Sequence, residues 1–181
     1  YCSCFQSNIF IVGATGGVGS RLGPMLVKAG HKVTALHRKP EQASHLTDAG
    51  MTPCLGDIMK MTADDFTNFT KNSDVIVFSA GAAGSGPERT DAIDGEGVAK
   101  TIQAAKANGI SRVYLVSAFM DAIRDQPKME GFEHYMRVKR KADNALAASG
   151  LEWVILRAGT LISKDGAVSY THLTLPTKRI V

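Results

Sequence analysis

The stretch IFIVGATGGVGSRLG, from Ile9 to Gly23, decides the fold of this chain because it joins an apolar run directly to a cluster of glycines. The apolar run is rich in β-branched and aromatic residues and predicts a buried strand. The residues after it carry apolar side chains at helical spacing and predict a helix that ends near Gly30. Glycine loses the most conformational freedom on ordering, so a glycine cluster beside a strand indicates that the backbone approaches something closely.

Three of these glycines, Gly13, Gly16 and Gly19, follow a GxxGxxG spacing between the predicted strand and the predicted helix. In a nucleotide-binding βαβ unit, the first glycine makes the tight turn and the second lets backbone N–H groups reach a pyrophosphate. The third lets the helix pack against the strand. The helix N-terminus adds unpaired N–H donors and about half a positive charge, which favour an anion. The stretch therefore predicts a dinucleotide-binding turn, and the alternative is a glycine-rich turn that binds no ligand.

Strand and helix patterns alternate along the rest of the chain. Helical or polar segments separate five further predicted strands, which lie in the segments 31–37, 51–57, 74–81, 111–119 and 151–159. Strands that alternate with helices form right-handed βαβ crossovers and a parallel sheet that is covered on both faces. We therefore predict an α/β fold with a doubly wound parallel sheet of strand order 3-2-1-4-5-6, with a cofactor at the carboxyl ends of the first and fourth strands.

Composition is typical of an ordinary globular domain. The 181 residues suffice for one domain with a core, and 44% of them are hydrophobic and 21% charged. The net charge is +4 and the longest basic run is VKRK at 138–141, so we expect no nucleic-acid partner. No apolar run approaches the roughly 20 residues of a membrane span, and no signal peptide is recognisable. We therefore expect no membrane association and a cytoplasmic location.

The cysteines and histidines do not form the patterns that bind metals. Cys2, Cys4 and Cys54 include no CxxC pair, and the five histidines form neither HxH nor HExxH. We therefore expect no disulfide framework and no metal site.

Several short motifs occur in an order that few other folds produce. GATGGVG forms the predicted phosphate loop, LHR ends the second strand, LGDI follows the third, FSAG ends the fourth and YLVSA lies in the fifth. YMRVK and SGLEWVILRAG follow further along the chain. With these motifs the chain, from about residue 8 to residue 168, resembles the atypical short-chain dehydrogenase/reductase superfamily, in its NmrA-like and epimerase-like branch. The resemblance implies a Rossmann domain that binds NAD(P)H and acts as an oxidoreductase.

The resemblance also implies which residues hold the cofactor. The phosphate loop comes first, an acidic residue and its neighbour meet the adenine, small residues pass beneath the adenosine, and a lysine holds the nicotinamide ribose. In chain order these residues are Gly13, Thr15, Gly16, Gly17, Val18, Gly19, Asp57, Ile58, Ser79, Ala80, Gly81 and Lys139.

The end of the second strand bears on the choice of cofactor. Where relatives that prefer NAD carry an acidic residue, this sequence has His37, Arg38 and Lys39. A carboxylate would repel a 2′-phosphate, whereas a guanidinium can hold it through two hydrogen bonds. We therefore add Arg38 to the cofactor-binding residues and expect NADP(H), with NAD possible. The alternative for Arg38 is a solvated charge at the start of a helix.

The candidate catalytic residues are Tyr135, Lys139 and Ser117. Tyr135 and Lys139 are four residues apart on a predicted helix and hence on one of its faces. The resemblance implies that Lys139 lowers the pKa of Tyr135, which then transfers the proton that accompanies hydride transfer. Ser117 matches a small residue after the fifth strand, but Ala118 and Phe119 stand where the superfamily usually has its catalytic hydroxyl.

Two functions fit these residues. The first is an oxidoreductase that reduces a small carbonyl, quinone or flavin-like acceptor with NADP(H), as a monomer or homodimer. The alternative is a non-catalytic NADP(H)-sensing regulator of the NmrA type. The sequence leaves the substrate unknown, because the segment that builds most of the substrate pocket in the superfamily is expected to be truncated.

The two ends of the sequence suggest a fragment. Tyr1 is not an initiator methionine, and the stretch SYTHLTLPTKRIV at 169–181 shows neither strand alternation nor helical periodicity. This stretch resembles translated adapter or vector sequence, and the alternative is an ordinary coil. We expect one NAD(P)-binding domain at 1–168 and an unstructured, poorly packed tail at 169–181.

Overall fold

The computed structural model describes residues 5–82, 85–118 and 130–158. A sheet of six parallel strands runs through this part of the chain in the order β3-β2-β1-β4-β5-β6. The strands are β1 Asn8–Val12, β2 Lys32–His37, β3 Thr52–Leu55, β4 Val75–Phe78, β5 Arg112–Ala118 and β6 Glu152–Ala158. The predicted fold class and strand order are confirmed.

Helices connect the strands, as the sequence pattern predicts. They are α1 Gly19–Lys28, α2 Ala43–Asp48, α3 Ala63–Phe69, α4 Pro87–Arg89, α5 Gly97–Ala107 and α6 Glu130–Ala147. A short 3₁₀ turn, Pro40–Gln42, precedes α2. A π-helical turn, Thr90–Glu96, joins α4 to α5. The hydrophobic periodicity did not predict this π-helical turn, because one widened turn changes the spacing of apolar residues only locally.

Apolar residues of β1 are buried on both faces of the sheet. Phe10 and Val12 belong to the core on the face that α3, α5 and α6 cover, together with Phe66 and Leu115. The core on the opposite face contains Ile9 and Ile11, which pack with Val33, Leu46 and Met51 of the β2 and α2 region. Burial on both faces is typical of a central parallel strand. It fixes β1, and the loop after it, at the centre of the sheet.

The order of the strands reverses at β1. From β1 the chain first adds β2 and β3 on one side, and then returns to add β4, β5 and β6 on the other. At this switch point Ile11 lies beside Val77, and Val12 lies beside Phe78. The connections that leave β1 and β4 turn to opposite faces of the sheet, which opens a crevice at their carboxyl ends.

The predicted domain boundary at residue 168 and the predicted tail at 169–181 lie outside the described residues. Within the described segments, no helix has the length and apolar character needed to cross a membrane. In the same segments, no group of three His, Cys, Asp or Glu side chains is placed to hold a metal ion.

Candidate cofactor site

A cavity of about 210 Å³ opens at the carboxyl ends of the strands, where the order of the sheet reverses. Its lining brings together nine of the predicted cofactor-binding residues: Gly13, Thr15, Gly16, Arg38, Asp57, Ile58, Ser79, Ala80 and Gly81. The other predicted site residues do not line it; these are Gly17, Val18, Gly19, Ser117, Tyr135 and Lys139.

Gly13 and Gly19 are required by the packing of the protein itself. Gly13 has φ +86°, and a Cβ added there would lie 2.5 Å from the backbone nitrogen of Ala80. A Cβ on Gly19 would lie 2.2 Å from the carbonyl oxygen of Gly13. These two glycines let β1, the end of β4 and the start of α1 approach each other closely.

Gly16 and Gly17 have a different environment. A Cβ on Gly16 would meet only the carbonyl oxygen of Gly13 at 3.4 Å, and a Cβ on Gly17 would meet nothing within 4 Å. Both residues are exposed. Protein packing therefore gives no reason for glycine at either position, and the space above them fits a ligand that lies against the backbone.

The N-terminus of α1 offers hydrogen-bond donors to that space. Val18 precedes the helix and caps it with no side-chain hydrogen bond, and the first turn contains no acidic residue. Within the described segments, the N–H groups of Gly17, Val18 and Gly19 donate to no protein acceptor. A pyrophosphate would satisfy such donors and the positive end of the helix dipole. The residues present therefore fit a dinucleotide.

Ser79 ties the two central strands together at the base of the cavity. Its N–H donates to the carbonyl oxygen of Val12 at 2.8 Å, and its Oγ donates to the carbonyl oxygens of Val12 and Gly13 at 3.1 and 3.3 Å. The hydroxyl is therefore occupied by the backbone. Ser79 keeps the cavity floor in place and leaves Ala80 and Gly81 as small residues beside the cavity.

The charged side chains of the lining are mostly cationic. Arg38 and Lys39 follow β2, and Arg89 lies across the cavity on α4, where its Nε donates to the Oγ of Ser85 at 3.0 Å. Asp57 is the acidic residue of the lining, and its Oδ1 accepts the N–H of Met59 at 3.0 Å. Among the described residues, no carboxylate forms an ion pair with Arg38 or Lys39. Their charges remain available to an anion.

His37 and Gln42 shape the loop that carries Arg38. The imidazole of His37 is buried, and its Nδ1–H donates to the carbonyl oxygen of Lys39 at 2.9 Å. The side-chain oxygen of Gln42 accepts the N–H of Lys39 at 3.1 Å. Both hydrogen bonds hold the backbone of Lys39, directly after Arg38, and so restrict the loop from which the Arg38 side chain extends.

Sequence reasoning missed five lining residues: Leu36, Gln42, Gly56, Arg89 and Ile93. Leu36 lies two positions before Arg38, and Gly56 lies directly before Asp57. Both residues lie at the end of a strand, and that position could have identified them. Arg89 and Ile93 come from the α4 and π-helical region, which no motif connected with the cofactor. Only the fold brings that region to the cavity.

Tyr135 and Lys139 lie on one face of α6, beside the π-helical turn. The Nζ of Lys139 lies 5.6 Å from the centre of the Tyr135 ring and 2.6 Å from the Oδ1 of Asp94. Sequence reasoning missed Asp94, whose carboxylate is fully buried. A single aspartate within the π-helical turn belongs to no motif that would have identified it.

Lys139 acts on the pKa of Tyr135 in the predicted, lowering direction, but the pKa is raised overall. Burial raises the pKa of Tyr135, and the nearby Lys139 opposes that rise, whereas Asp94 adds to it. The net direction is upward because Tyr135 is half-buried and the charge of Lys139 is shared with Asp94. In this arrangement Tyr135 holds its proton.

Ser117 lies near the carboxyl end of β5, in register with Arg157 of β6. It is only 5% exposed, and among the described residues no group forms a hydrogen bond with its Oγ. A buried hydroxyl without a partner costs about 1–3 kcal/mol. Phe119, which replaces the usual catalytic hydroxyl in the sequence pattern, lies outside the described residues.

Comparisons with known proteins agree with this geometry. A protein-family model described as NAD(P)H-binding matches residues 13–179. The chain is 35% identical over 160 residues to an uncharacterized sugar epimerase, YhfK, of Bacillus subtilis, covering 87% of this chain and 74% of the relative. It is 34% identical over 163 residues to the UPF0659 protein YMR090W of Saccharomyces cerevisiae, covering 87% of this chain and 71% of the relative.

A solved structure has the same fold. It is a putative NAD-dependent epimerase/dehydratase from Bacillus halodurans, with 32% identity and a TM-score of 0.79 over 88% of this chain and 73% of that chain. The phosphate loop, the cavity at the strand switch point and the family match all agree. The chain therefore belongs to the NAD(P)H-binding family, as the resemblance to the atypical short-chain dehydrogenase/reductase branch implied.

Proposed function

We propose that this protein is an NADP(H)-dependent oxidoreductase that reduces a small carbonyl, quinone or flavin-like acceptor. The observation that carries the proposal is the cationic cavity, in which Arg38 and Lys39 follow β2 at the place where an acidic residue favours NAD. The proposal includes a cytoplasmic protein that works as a monomer or homodimer.

The residues of α6 support proton transfer in this reaction. NADPH supplies a hydride when it is bound. Tyr135 would donate its phenolic proton to the acceptor, and Lys139 would hold the ribose of the cofactor while its charge stabilises the tyrosinate that forms. Tyr135 starts the reaction protonated, as a general acid must, because its pKa lies above the ordinary tyrosine value. Ser117 would supply a further hydrogen bond near the reacting groups.

The choice of cofactor is tested by titrating NADPH and NADH against the purified protein at one salt concentration. Charge-assisted hydrogen bonds contribute about 1.5–3 kcal/mol each, so we expect NADPH to bind tighter by roughly 10- to 100-fold. Arg38→Glu should remove or reverse that preference. Lys28→Glu is the matched control, because Lys28 is an exposed cation of α1 outside the cavity lining. Equal affinities in the parent, untouched by Arg38→Glu, would remove Arg38 from the site.

The role of Tyr135 is tested by following NADPH oxidation with a panel of quinones, flavins and small carbonyls. Tyr135→Phe should lower turnover by roughly 10²- to 10⁴-fold while NADPH still binds, because a proton donor supplies about that factor. Turnover that does not depend on Tyr135 would exclude it as the acid.

A second candidate is an NADP(H) sensor of the NmrA type that does not turn over. Two observations favour it: Tyr135 and Lys139 lie outside the cavity lining, and Lys139 is engaged by a buried carboxylate. Tight NADPH binding without oxidation by any acceptor in the panel would favour the sensor over the oxidoreductase.

A further inference from the structure

The ion pair between Lys139 and Asp94 is the most buried charged contact among the described residues. Its two atoms, the lysine Nζ and the Asp94 Oδ1, are 2.6 Å apart, and the side chains are 6% and 0% exposed. Charges lose several kcal/mol of hydration on burial, and the attraction between these two opposite charges offsets that loss. The arrangement of one therefore depends on the other.

The π-helical turn places Asp94 against α6. The turn approaches α6 closely, since a Cβ added at Gly95 would lie 3.2 Å from the Cγ1 of Val138. Gly97, at the start of α5, is similarly close to Ile58 and Phe78. The residue before Asp94, Ile93, lines the cofactor cavity. The turn thus faces the cavity on one side and α6 on the other. Single π-helical turns are frequent at functional sites.

The second oxygen of Asp94 contacts the loop that forms the cavity floor. Its Oδ2 accepts the N–H of Ala82 at 3.0 Å. The residue before it, Gly81, lines the cavity, and a Cβ added there would lie 3.4 Å from the Oδ1 of Asp94. One carboxylate therefore connects the floor of the cavity to the ammonium group of α6.

The carboxylate of Asp94 also changes the electrostatic environment of the Tyr135 phenol. The charged groups that act on the Tyr135 phenol are Lys139 on its own helix and Asp94 on the π-helical turn. Lys139 favours the tyrosinate, and Asp94 opposes it. Because Asp94 lies within contact of the ammonium, it also cancels part of the lysine charge that Tyr135 experiences.

We propose that Asp94 is the positioning residue for Lys139, which it fixes beside Tyr135 and whose charge it partly neutralises, so that Tyr135 meets the acceptor as a protonated phenol. The inference deepens the proposed function and rests on it for the role of Lys139. For a carbonyl acceptor, hydride from NADPH adds to the carbon as the C=O π bond breaks. The Tyr135 proton goes to the oxygen, and solvent then reprotonates the tyrosinate.

The test is a pH titration of Tyr135 in the protein without cofactor. Tyrosinate absorbance is followed between about pH 8 and pH 12, and the contribution of Tyr135 is isolated by subtracting the same variant carrying Tyr135→Phe. Asp94→Asn should lower the midpoint of Tyr135 by about one pH unit, because the lysine charge is no longer cancelled. Asp94→Glu should restore a parent-like midpoint.

Asp143→Asn is the matched control. Like Asp94, Asp143 is a buried aspartate in an ion pair: it lies on α6, is 1% exposed and has its Oδ2 3.0 Å from the Nε of Arg157. The Asp143→Asn variant should lose stability, as Asp94→Asn should, but the titration midpoint of Tyr135 should stay at the parent value. A midpoint in Asp94→Asn at or above that of the parent, or an equal fall in Asp143→Asn, would overturn the proposal.

A double variant keeps the test valid if Asp94→Asn does not fold. Asp94→Asn/Lys139→Gln removes both buried charges together, and replacing a buried pair by neutral residues is far less damaging than leaving one charge alone. Its Tyr135 midpoint should rise above that of the parent, because the larger of the two charge effects, that of Lys139, is lost. A midpoint at or below the parent value would refute the proposal. Since no cofactor is present, a failure of NADPH binding would count against the proposed function alone.

Discussion

Gly13 and Gly17 lie in the same loop, yet a methyl group at each should have opposite consequences. At Gly13 an added Cβ would lie 2.5, 2.7 and 2.8 Å from three backbone atoms of Ala80 and Ser79. The loop and the end of β4 would have to separate by nearly 1 Å to reach normal contact. Such overpacking costs about 1–3 kcal/mol. The φ of +86° adds about 1–2 kcal/mol for a residue with a Cβ.

The expected loss for Gly13→Ala is therefore about 2–5 kcal/mol in the free energy of unfolding. For a chain of this size, each kcal/mol corresponds to roughly 2–4 °C in melting temperature. We expect Gly13→Ala to melt about 5–15 °C below the parent. NADPH should raise its melting temperature less than it raises that of the parent, because the loop has moved.

Gly17→Ala is the control for packing and the test for the ligand. An added Cβ at Gly17 meets no protein atom within 4 Å, and no positive φ is required there. The free energy of unfolding should stay within about 0.5 kcal/mol of the parent value, as is usual for a surface substitution. If the pyrophosphate lies against this backbone, the methyl group keeps it away, and NADPH affinity should fall by about tenfold or more.

Thermal melting of both variants, with and without NADPH, checks these expectations together with a fluorescence titration of the cofactor. Gly13→Ala melting at the parent temperature would show that β1 and β4 do not approach as described. Gly17→Ala binding NADPH as tightly as the parent would show that no phosphate lies against the loop, even if the fold is correct.

Three further predictions concern stability. Asn108→Ala should lower the free energy of unfolding by about 1–3 kcal/mol in a urea titration. The Asn108 side chain donates to the carbonyl oxygen of Thr67 at 2.8 Å and to the buried Oγ1 of Thr70 at 3.0 Å, and both hydrogen bonds would be lost. An unchanged urea midpoint would contradict this expectation. Phe66→Ala should lower the free energy of unfolding by about 3–5 kcal/mol in the same assay, since the ring is fully buried in the core. A loss below about 1 kcal/mol would show that the core around Phe66 is poorly packed. Between about pH 9 and pH 11 the parent should lose more stability than Tyr135→Phe, because burial raises the Tyr135 pKa in the folded state and the unfolded chain releases the proton first; parallel curves would refute that burial.

Most of the fold could be predicted from the sequence, because its decisive signals are local. The apolar strand before Gly13, the helical spacing after Val18 and the alternation along the chain predict six strands joined by helical segments, and right-handed crossovers leave few topologies. The start of α3 is determined equally locally, because the Oγ1 of Thr62 accepts the N–H of Asp65 three residues later.

The candidate site could be predicted only where its residues follow a strand directly. Three predicted residues of the phosphate loop, Gly13, Thr15 and Gly16, line the cavity with the predicted residues at the ends of β2, β3 and β4, because a parallel sheet brings strand ends to one edge. Arg89 and Asp94 were missed because they come from the connection between β4 and α5. Its contacts with the cavity and α6 depend on a π-helical turn that leaves no periodic signal.

Ser79 to Ala82 form the segment on which the candidate site depends most. At one end Ser79 bonds to the backbone of β1, and the backbone of Ala80 fills the space that a side chain on Gly13 would need. At the other end the N–H of Ala82 binds Asp94, which holds Lys139 beside Tyr135. Between them Ala80 and Gly81 line the cavity. These four consecutive residues therefore join the packing around Gly13, the floor of the cavity and the carboxylate that holds Lys139.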